Sequence, residues 1–196
     1  MRYSQDHKAE TRARIVRKAA VRLRQSGPHG VAVADLMKQA GLTHGGFYAH
    51  FKSRDALIGE AMMVAMDGST ERWRKRADLV PEGKKVAAII DGYLTEQHRD
   101  DVGTGCMLPA LCNEVARSNA KTRKAFARRL EEMIALIVEA RGTRPSKLAR
   151  KQAMGAICAM TGALVLARAT GGELSSDILK AGRDIASGQK SAAGAA

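Results

Sequence analysis

The chain of 196 residues carries 33 Lys and Arg residues against 20 Asp and Glu residues, a formal net charge of +13 with an isoelectric point near 10.1. With 45% hydrophobic residues, a chain of this length can bury a core, which excludes a largely disordered protein. The positive charge favours a polyanionic partner, either nucleic acid or an anionic membrane surface, and does not decide between them.

The N-terminus and the cysteines indicate a cytoplasmic protein. The first residues, MRYSQDHK, lack the apolar segment of a secretory signal. The longest nearly uncharged apolar stretch, residues 155–167, is shorter than the roughly 18 residues of a membrane-spanning helix. Cys106, Cys112 and Cys158 form neither a disulfide framework nor a CxxC metal site. We therefore expect reduced thiols, no membrane segment, no metal and no cofactor.

The first predicted helix begins at Thr11 and ends near Gly27–Pro28, and the residues before it are expected to be frayed. Its apolar residues form one stripe, and arginines and lysines cover much of the remaining surface. A solvated face is the simplest explanation of those charges. Next to a nucleic-acid-binding motif, the first turn of this helix becomes a candidate phosphate contact.

The next two predicted helices are short and are joined by a glycine turn. The second helix covers about residues 33–40 and ends at Gly41, because glycine adopts the left-handed backbone conformation at little cost. Thr43 is a good N-cap for the third helix, in which Phe47 and Phe51 lie four residues apart and face the core together. The same geometry puts His44, Gly45, Tyr48 and Lys52 on or near the outward side.

Residues 40–57 carry the most specific motif in the chain, AGLTHGGFYAHFKSRDAL. With VADLMKQ and an amphipathic helix before it, this motif resembles the DNA-binding domain of the TetR family of one-component transcriptional regulators. The resemblance implies an all-α fold of about nine helices, in which a three-helix helix-turn-helix DNA-binding domain precedes a helical domain for ligand binding and dimerisation. The expected boundaries are 1–52 for the first domain, 53–187 for the second and 188–196 for a disordered tail.

Two groups of residues in this motif are candidate DNA contacts. The first lies at the front of the third helix, where glycines let the backbone approach the major groove. Each glycine destabilises a helix by roughly 1 kcal/mol relative to alanine, so the pair calls for a reason. Tight packing against another helix is the alternative reason. This first group is Thr43, His44, Gly45 and Gly46. The second group is expected to bind phosphates and comprises Tyr48, His50, Lys52 and Arg54.

Two departures from the family pattern bear on base recognition. Many members carry Ser or Thr before the second helix and Arg soon after its start, where this chain has Ala32 and Ala34. Gly46 stands where a hydroxyl residue is common. The resemblance therefore implies that few side chains choose the DNA sequence, with more weight on His44.

A long fourth helix, capped by Ser53 and interrupted at Pro81, opens the C-terminal part of the chain. A fifth helix over about residues 83–98 is followed by the turn-forming loop DDVGTG, and the seventh helix covers about residues 121–140. Adaptable methionines and a few aromatic residues suit the wall of a pocket for an apolar ligand, although they serve equally well as ordinary core. The candidate pocket residues are Met62, Met66, Trp73, Tyr93, Met107 and Leu111.

Cys106 has two interpretations. Pro109 is tolerated only in the first turn of a helix, so the sixth helix begins near Thr104–Gly105 and has Cys106 at its N-terminus. The helix end favours a thiolate there, and a glycine-cysteine pair at this place resembles family members that respond to electrophiles or oxidants through a thiol. The more common role of a free cysteine is packing as a small buried hydrophobe.

The eighth helix, about residues 147–168, and the ninth helix after it are expected to form a dimer face. Gly155, Ala159 and Ala163 are spaced by four along the eighth helix, and small residues at that spacing let another helix come close. Together with Leu164, they are the predicted dimer contacts. Membrane insertion is the alternative explanation, and the length of the stretch argues against it.

These features predict a dimeric transcriptional regulator, a repressor, that binds a pseudo-palindromic operator in double-stranded DNA and is released by a small apolar or electrophilic effector. A sequence-tolerant DNA-coating protein is the first alternative. An enzyme with a helical fold is the second, and the sequence contains no HExxH or GxSxG motif for it. His98 with Cys106 or Cys112 could ligate zinc, although their spacing fits no recurring site.

Overall fold

The computed structural model describes residues 2–188, and in that range it contains helices and no β-strand. The α-helices are α1 (Arg2–Ser26), α2 (Val33–Gln39), α3 (Arg54–Asp78), α4 (Lys85–Tyr93), α5 (Glu96–Asp100), α6 (Met107–Ala116), α7 (Ala120–Ala140), α8 (Lys147–Thr170) and α9 (Gly172–Ser187). Two 3₁₀ helices, Pro28–Gly30 and His44–Ala49, flank α2. The predicted all-α fold is confirmed. The tail predicted at 188–196 lies outside the described residues, apart from Gly188.

Several local predictions are confirmed by the backbone and its hydrogen bonds. Gly41 has a φ of +73°, in the left-handed region. Ser53 caps α3, because its Oγ accepts a hydrogen bond from the Ala56 N–H at 3.1 Å. Cys106 is the N-cap residue of α6, and Pro109 lies in the first turn of that helix. These features depend on residues close together in the chain.

Three elements differ from the predicted ones. Helix α1 begins at Arg2 rather than Thr11, because no glycine or proline interrupts the helix before Gly27. The third predicted helix is the 3₁₀ helix His44–Ala49, and the Thr43 side chain makes no capping hydrogen bond. The predicted fifth helix is two helices, α4 and α5. Thr95 separates them, since its Oγ1 accepts a hydrogen bond from the His98 N–H at 3.0 Å and caps α5.

The described chain divides into two compact units. Unit 1 comprises Met1–Gly68 and Val102–Phe126, and unit 2 comprises Ser69–Asp101 and Ala127–Ala196. Large buried side chains of unit 1 are Ile15, Leu23, Met37, Phe47, Leu57, Met66 and Met107. Those of unit 2 are Trp73, Ile89, Ile90, Tyr93 and Leu94. Each unit therefore has its own apolar core.

Helices α8 and α9 pack closely against each other in unit 2. A Cβ added at Gly182 of α9 would collide with the Cβ of Ala163 on α8, so the contact requires a glycine there. The close approach that small residues allow thus occurs within the chain. Of the predicted dimer contacts, Ala163 and Leu164 are buried inside the chain, Ala159 is half-buried and Gly155 is exposed.

Helix α8 has 24 residues and, by length and composition alone, is the one helix in residues 2–188 that could cross a membrane. The length of residues 155–167 therefore does not exclude insertion, contrary to the argument from the sequence. This is weak support for a membrane segment, because buried helices of soluble proteins meet the same criteria.

His98 of α5 packs against α4 of the same unit. Its Nδ1 is 2.6 Å from the Tyr93 carbonyl oxygen, to which the neutral ring donates a hydrogen bond, and its ring stands edge-on to the Tyr93 ring at a centroid distance of 4.6 Å. Burial lowers the pKa of His98 to about 4, against the raising effect of the Tyr93 hydrogen bond. The positive charges of Arg168, Arg72 and Arg76 lower it further.

We expect the free energy of unfolding to fall as the pH drops from about 6.5 to about 4. Unfolded His98 takes up a proton near pH 6.5, whereas the folded protein takes it up only near pH 4, so protons favour the unfolded chain in that window. The loss amounts to about 3 kcal/mol across the window. In denaturant unfolding across this pH range, the free energy of unfolding of His98→Gln should depend less on pH than that of the wild type. Equal pH dependence in both proteins would contradict the attribution of this effect to His98.

Candidate nucleic-acid interface

The turn between α2 and the 3₁₀ helix His44–Ala49 sets which residues point outward. The Leu42 N–H donates to the Met37 carbonyl oxygen at 2.9 Å, and the Gly41 N–H donates to the Lys38 carbonyl oxygen at 3.0 Å, which closes α2. Phe47 and Phe51 are then buried with their rings stacked at a centroid distance of 5.4 Å. The opposite side of the 3₁₀ helix is left to solvent.

The residues predicted to read bases lie on this solvent side. Thr43, His44 and Gly45 are exposed, and Gly46 is half-buried. A Cβ added at Gly45 would meet no atom within 4 Å, and one at Gly46 would make an ordinary contact with Met37 Cε at 3.6 Å. Neither glycine has a positive φ. Packing within the chain does not require glycine at these two positions. Tight helix packing, the alternative reason for the glycine pair, is therefore wrong.

Tyr48 and Lys52 extend the exposed surface beside these glycines. The Tyr48 side chain is 70% exposed, and its ring meets the buried Phe47 ring edge-on at a centroid distance of 5.3 Å. Lys52 is also exposed. Both side chains can therefore reach a phosphate without unpacking the core.

His50 is half-buried, and its Nδ1 has no hydrogen-bond partner among the described residues. Burial lowers the pKa of His50, and the charges of Lys8 and Arg12 lower it further. The imidazole is therefore neutral near pH 7. In that state it offers a phosphate one N–H donor rather than a full positive charge.

Arg12 of α1 has a structural role that the sequence did not reveal. Its guanidinium makes a bidentate ion pair with Glu60 of α3, with Nη2 donating to Oε2 at 2.6 Å and Nη1 donating to Oε1. Its Nε donates to the His50 carbonyl oxygen at 3.3 Å, and the group lies 4.7 Å from the centre of the Phe51 ring. Arg12 thus joins α1 and α3 to the end of the DNA-binding segment.

Arg54 is positioned differently from the predicted phosphate donor. Its Nε donates to the Val31 carbonyl oxygen at 3.0 Å, and its Nη2 donates to the Pro28 carbonyl oxygen. These bonds hold the connection between α1 and α2 against the start of α3. The guanidinium is turned inward, which leaves Tyr48, His50 and Lys52 as the candidate phosphate contacts.

The predicted pocket residues are all buried but are distributed over both units. Met62, Met66, Cys106, Met107 and Leu111 belong to unit 1. Trp73 and Tyr93 belong to unit 2, where their rings meet edge-on at a centroid distance of 5.7 Å. Their role in binding an effector stays a prediction.

The cysteines in the first unit are sheltered from solvent. Cys106 is 1% exposed, which agrees with packing as a small hydrophobe. Burial raises the pKa of Cys112 to about 11, with a smaller contribution from Cys106, so Cys112 is a neutral thiol near pH 7. Within residues 2–188, no group of three or more His, Cys, Asp or Glu side chains is placed to hold a metal ion.

Comparisons with solved structures match nearly the whole chain. A TetR transcriptional regulator from Chloroflexus aurantiacus is 28% identical, with a TM-score of 0.76 over 93% of this chain and 95% of that one. A TetR family regulator from Cytophaga hutchinsonii is 20% identical, with a TM-score of 0.75 over 93% and 96%. The reduced form of E. coli NemR is 20% identical, with a TM-score of 0.73 over 91% and 96%. The two more distant structures show the shared fold alone.

The sequence matches a family model in the same region as the candidate interface. Residues 15–61 match the model for bacterial regulatory proteins of the tetR family, which covers the helix-turn-helix described above. A search of curated proteins finds no match. With this DNA-binding segment at its N-terminus and the family fold over nearly its whole length, the chain belongs to the TetR family of bacterial transcriptional regulators.

Proposed function

We propose that the chain is a cytoplasmic, homodimeric repressor that binds a pseudo-palindromic operator and leaves it when a small effector binds. The observation that carries the DNA-binding part is the open surface at the front of the 3₁₀ helix His44–Ala49. Two glycines that packing does not require lie there beside an exposed His44, Tyr48 and Lys52. Such a surface suits entry into the major groove, with flanking phosphate contacts. The proposal assigns the chain no catalytic reaction.

An apolar surface on α8 and α9 supports dimerisation. Most of its exposed side chains are large, and they lie on adjacent helices of one unit, whereas isolated surface hydrophobes are scattered. A second copy would cover this surface on both chains through the same residues. Because the DNA-binding segment of each chain, residues 43–52, reads one half-site, a two-fold dimer predicts a pseudo-palindromic operator. The surface consists of Met154, Gly155, Cys158, Val165 and Leu166 on α8, and Leu174 and Ile185 on α9.

A contact within unit 1 supports communication between α6 and the DNA-binding segment, residues 43–52. Arg24 near the end of α1 donates from Nε to the Gly103 carbonyl oxygen at 2.6 Å, just before α6. A Cβ on Gly103 would lie 2.7 Å from Gln25 Nε2, so glycine permits this close approach. A shift of α6 would therefore move α1 and the DNA-binding segment with it. Release requires that the effector bind this shifted conformation more tightly.

Covalent modification of Cys106 is a second trigger, supported by its position at the N-cap of α6. Because Cys106 is buried, an electrophile would reach it only after local opening. Cys106→Ser separates the two triggers. Release of DNA by an electrophile should persist in this variant if the trigger is non-covalent, and should disappear if the thiol reacts.

Two substitutions test the proposed contacts. Tyr48→Ala removes a phosphate donor and should weaken binding to operator and random DNA alike. His44→Ala should cost about 1–3 kcal/mol on the operator, relax base choice and leave random-DNA binding unchanged. Fluorescence anisotropy at one salt concentration measures both affinities. His29→Ala is the matched control, since His29 is exposed outside the motif. Loss of discrimination in the Tyr48 variant alone would reverse the two assignments.

Competition separates the repressor from a sequence-tolerant DNA-coating protein. A specific regulator stays on its operator in a large excess of random DNA, because specific binding is typically about 10³ to 10⁷ times tighter. A coating protein would be displaced in proportion to the competitor added. Displacement of that kind would replace the repressor proposal with the alternative.

A further inference from the structure

Arg76 on α3 is a half-buried guanidinium without a counterion. It forms no hydrogen bond or ion pair with any residue in the range 2–188. Burial lowers the pKa of Arg76, and the charge of Arg72 lowers it further. Asp91 and Asp78 are exposed carboxylates in the same unit, and neither pairs with it. The group therefore bears a desolvation cost that no anion in the described part of the chain offsets.

The Arg76 side chain comes close to the backbone of the next helix at a glycine. A Cβ added at Gly92 of α4 would collide with Arg76 Nε, so the guanidinium lies directly against the α4 backbone. Tyr93, the following residue, is buried and contacts the Trp73 ring. The guanidinium thus lies against α4 at the residue before Tyr93, and it is half-buried rather than fully exposed.

Other positive charges converge on the same place. Arg72 lies one turn before Arg76 on α3, at a spacing that puts both side chains on one face. Arg168 of α8 donates from Nη2 to the His98 carbonyl oxygen at 2.8 Å and from Nε to the Arg99 carbonyl oxygen at 3.0 Å. All three guanidinium groups act electrostatically on the His98 ring, which is neutral near pH 7. The Arg168 charge also acts on the Asp100 carboxylate, whereas the one ionic contribution to the pKa of Arg76 is the charge of Arg72.

A half-buried guanidinium without a counterion among the described residues is unfavourable for folding, and strongly perturbed charged groups are common where a ligand binds. We propose that this site recognises an effector that carries an anionic group, with Arg76 as its direct partner and Arg72 strengthening the attraction. A carboxylate is an anionic group that matches a guanidinium, because the two form paired, charge-assisted hydrogen bonds. The inference rests on the proposed function, since it names the chemical class of the effector.

The test compares two arginines two residues apart on α3. Arg76→Met keeps an unbranched apolar side chain and removes the charge. Arg74→Met is the matched control, because the Arg74 guanidinium is exposed and pairs with Glu71 at 3.6 Å. Trp73, the only tryptophan in the chain, reports binding by its fluorescence in the full-length protein. The probes are benzoate, 2-naphthoate and decanoate, each compared with its neutral amide.

At least one acid should bind the wild-type protein more tightly than its amide does. Arg76→Met should weaken that binding about tenfold or more, Arg76→Lys should restore part of it, and Arg74→Met should leave it unchanged. Failure of all three acids to bind, equal binding of acid and amide, or equal binding by wild type and Arg76→Met would overturn the proposal.

A measurement without ligand separates binding from a structural role. Arg76→Met should raise the melting temperature, because it removes a half-buried charge that has no partner. A lower melting temperature, with Arg74→Met unchanged, would make Arg76 structural. DNA affinity and its salt dependence should match the wild type, and a weaker salt dependence would make Arg76 a phosphate contact instead. If the wild type binds no DNA, the proposed function fails, while the acid titration still decides this inference.

Discussion

Replacing both Leu166 and Ile185 by glutamate is expected to convert the proposed dimer into monomers and to weaken operator binding about a hundredfold or more. The side chains are 56% and 69% exposed in the single chain, so the substitutions leave its core intact. In a dimer they would place four unpaired carboxylates within an apolar interface. Sedimentation and fluorescence anisotropy measure the two effects.

The control for this variant is Leu79→Glu. Leu79 is 84% exposed just beyond the end of α3 and does not belong to the surface defined on α8 and α9, so its replacement should change neither mass nor affinity. Unchanged melting of the double variant would show that it still folds. A double variant that sediments as a dimer and binds the operator like the wild type would contradict this dimer surface.

Phe51→Ala is expected to destabilise unit 1 by about 3–5 kcal/mol and to abolish DNA binding as a consequence. The Phe51 ring is buried, stacks on Phe47 and lies beneath the Arg12 guanidinium that binds Glu60. Its loss would open a cavity under the DNA-binding segment and release the link from α1 to α3. Denaturant unfolding measures the change in stability.

Tyr48→Ala provides the comparison for this prediction. Tyr48 lies three residues before Phe51 and is mostly exposed, so its replacement should weaken DNA binding with little change in stability. Of the two aromatic residues in this motif, Phe51 would then be needed for folding and Tyr48 for contact with DNA. If Phe51→Ala unfolds at the wild-type denaturant concentration, the ring is not the support that we infer.

The sequence predicted the parts of the fold that depend on neighbouring residues. Gly41 ends α2, Ser53 caps α3 and the spacing of Phe47 and Phe51 puts both rings in the core. The break between α4 and α5 also has a local signal, the capping hydroxyl of Thr95. An uninterrupted apolar stripe outweighed that signal in the prediction of one helix over 83–98.

Long-range partners could not be predicted in the same way. Arg12 and Glu60 are 48 residues apart, and a basic helix face gives no indication of which arginine will meet a carboxylate. Arg54 likewise binds carbonyl oxygens more than twenty residues away, whereas its place in the motif favoured a phosphate. Small residues on α8 correctly indicated a close helix contact, and only the structure identifies α9 as one partner through Gly182.

The site proposed around Arg76 also depends on long-range contacts that the sequence does not predict. Glycine at position 92 looks unremarkable in the sequence, yet it is what lets the guanidinium lie against α4. The absence of a counterion is a property of the fold that composition cannot reveal, since carboxylates are present nearby in the chain. The effector expected from the sequence was apolar or electrophilic, and the charges of unit 2 lead us to propose an anionic group on it.

Footprinting tests the central claim, that two copies of residues 43–52 read a two-fold DNA site. The protein is bound to a duplex selected from a random-sequence library, and the protected bases are mapped on both strands. We predict two protected half-sites related by a dyad, with centres about 10 base pairs or a multiple of that apart. A single short protected segment without a dyad would contradict the claim.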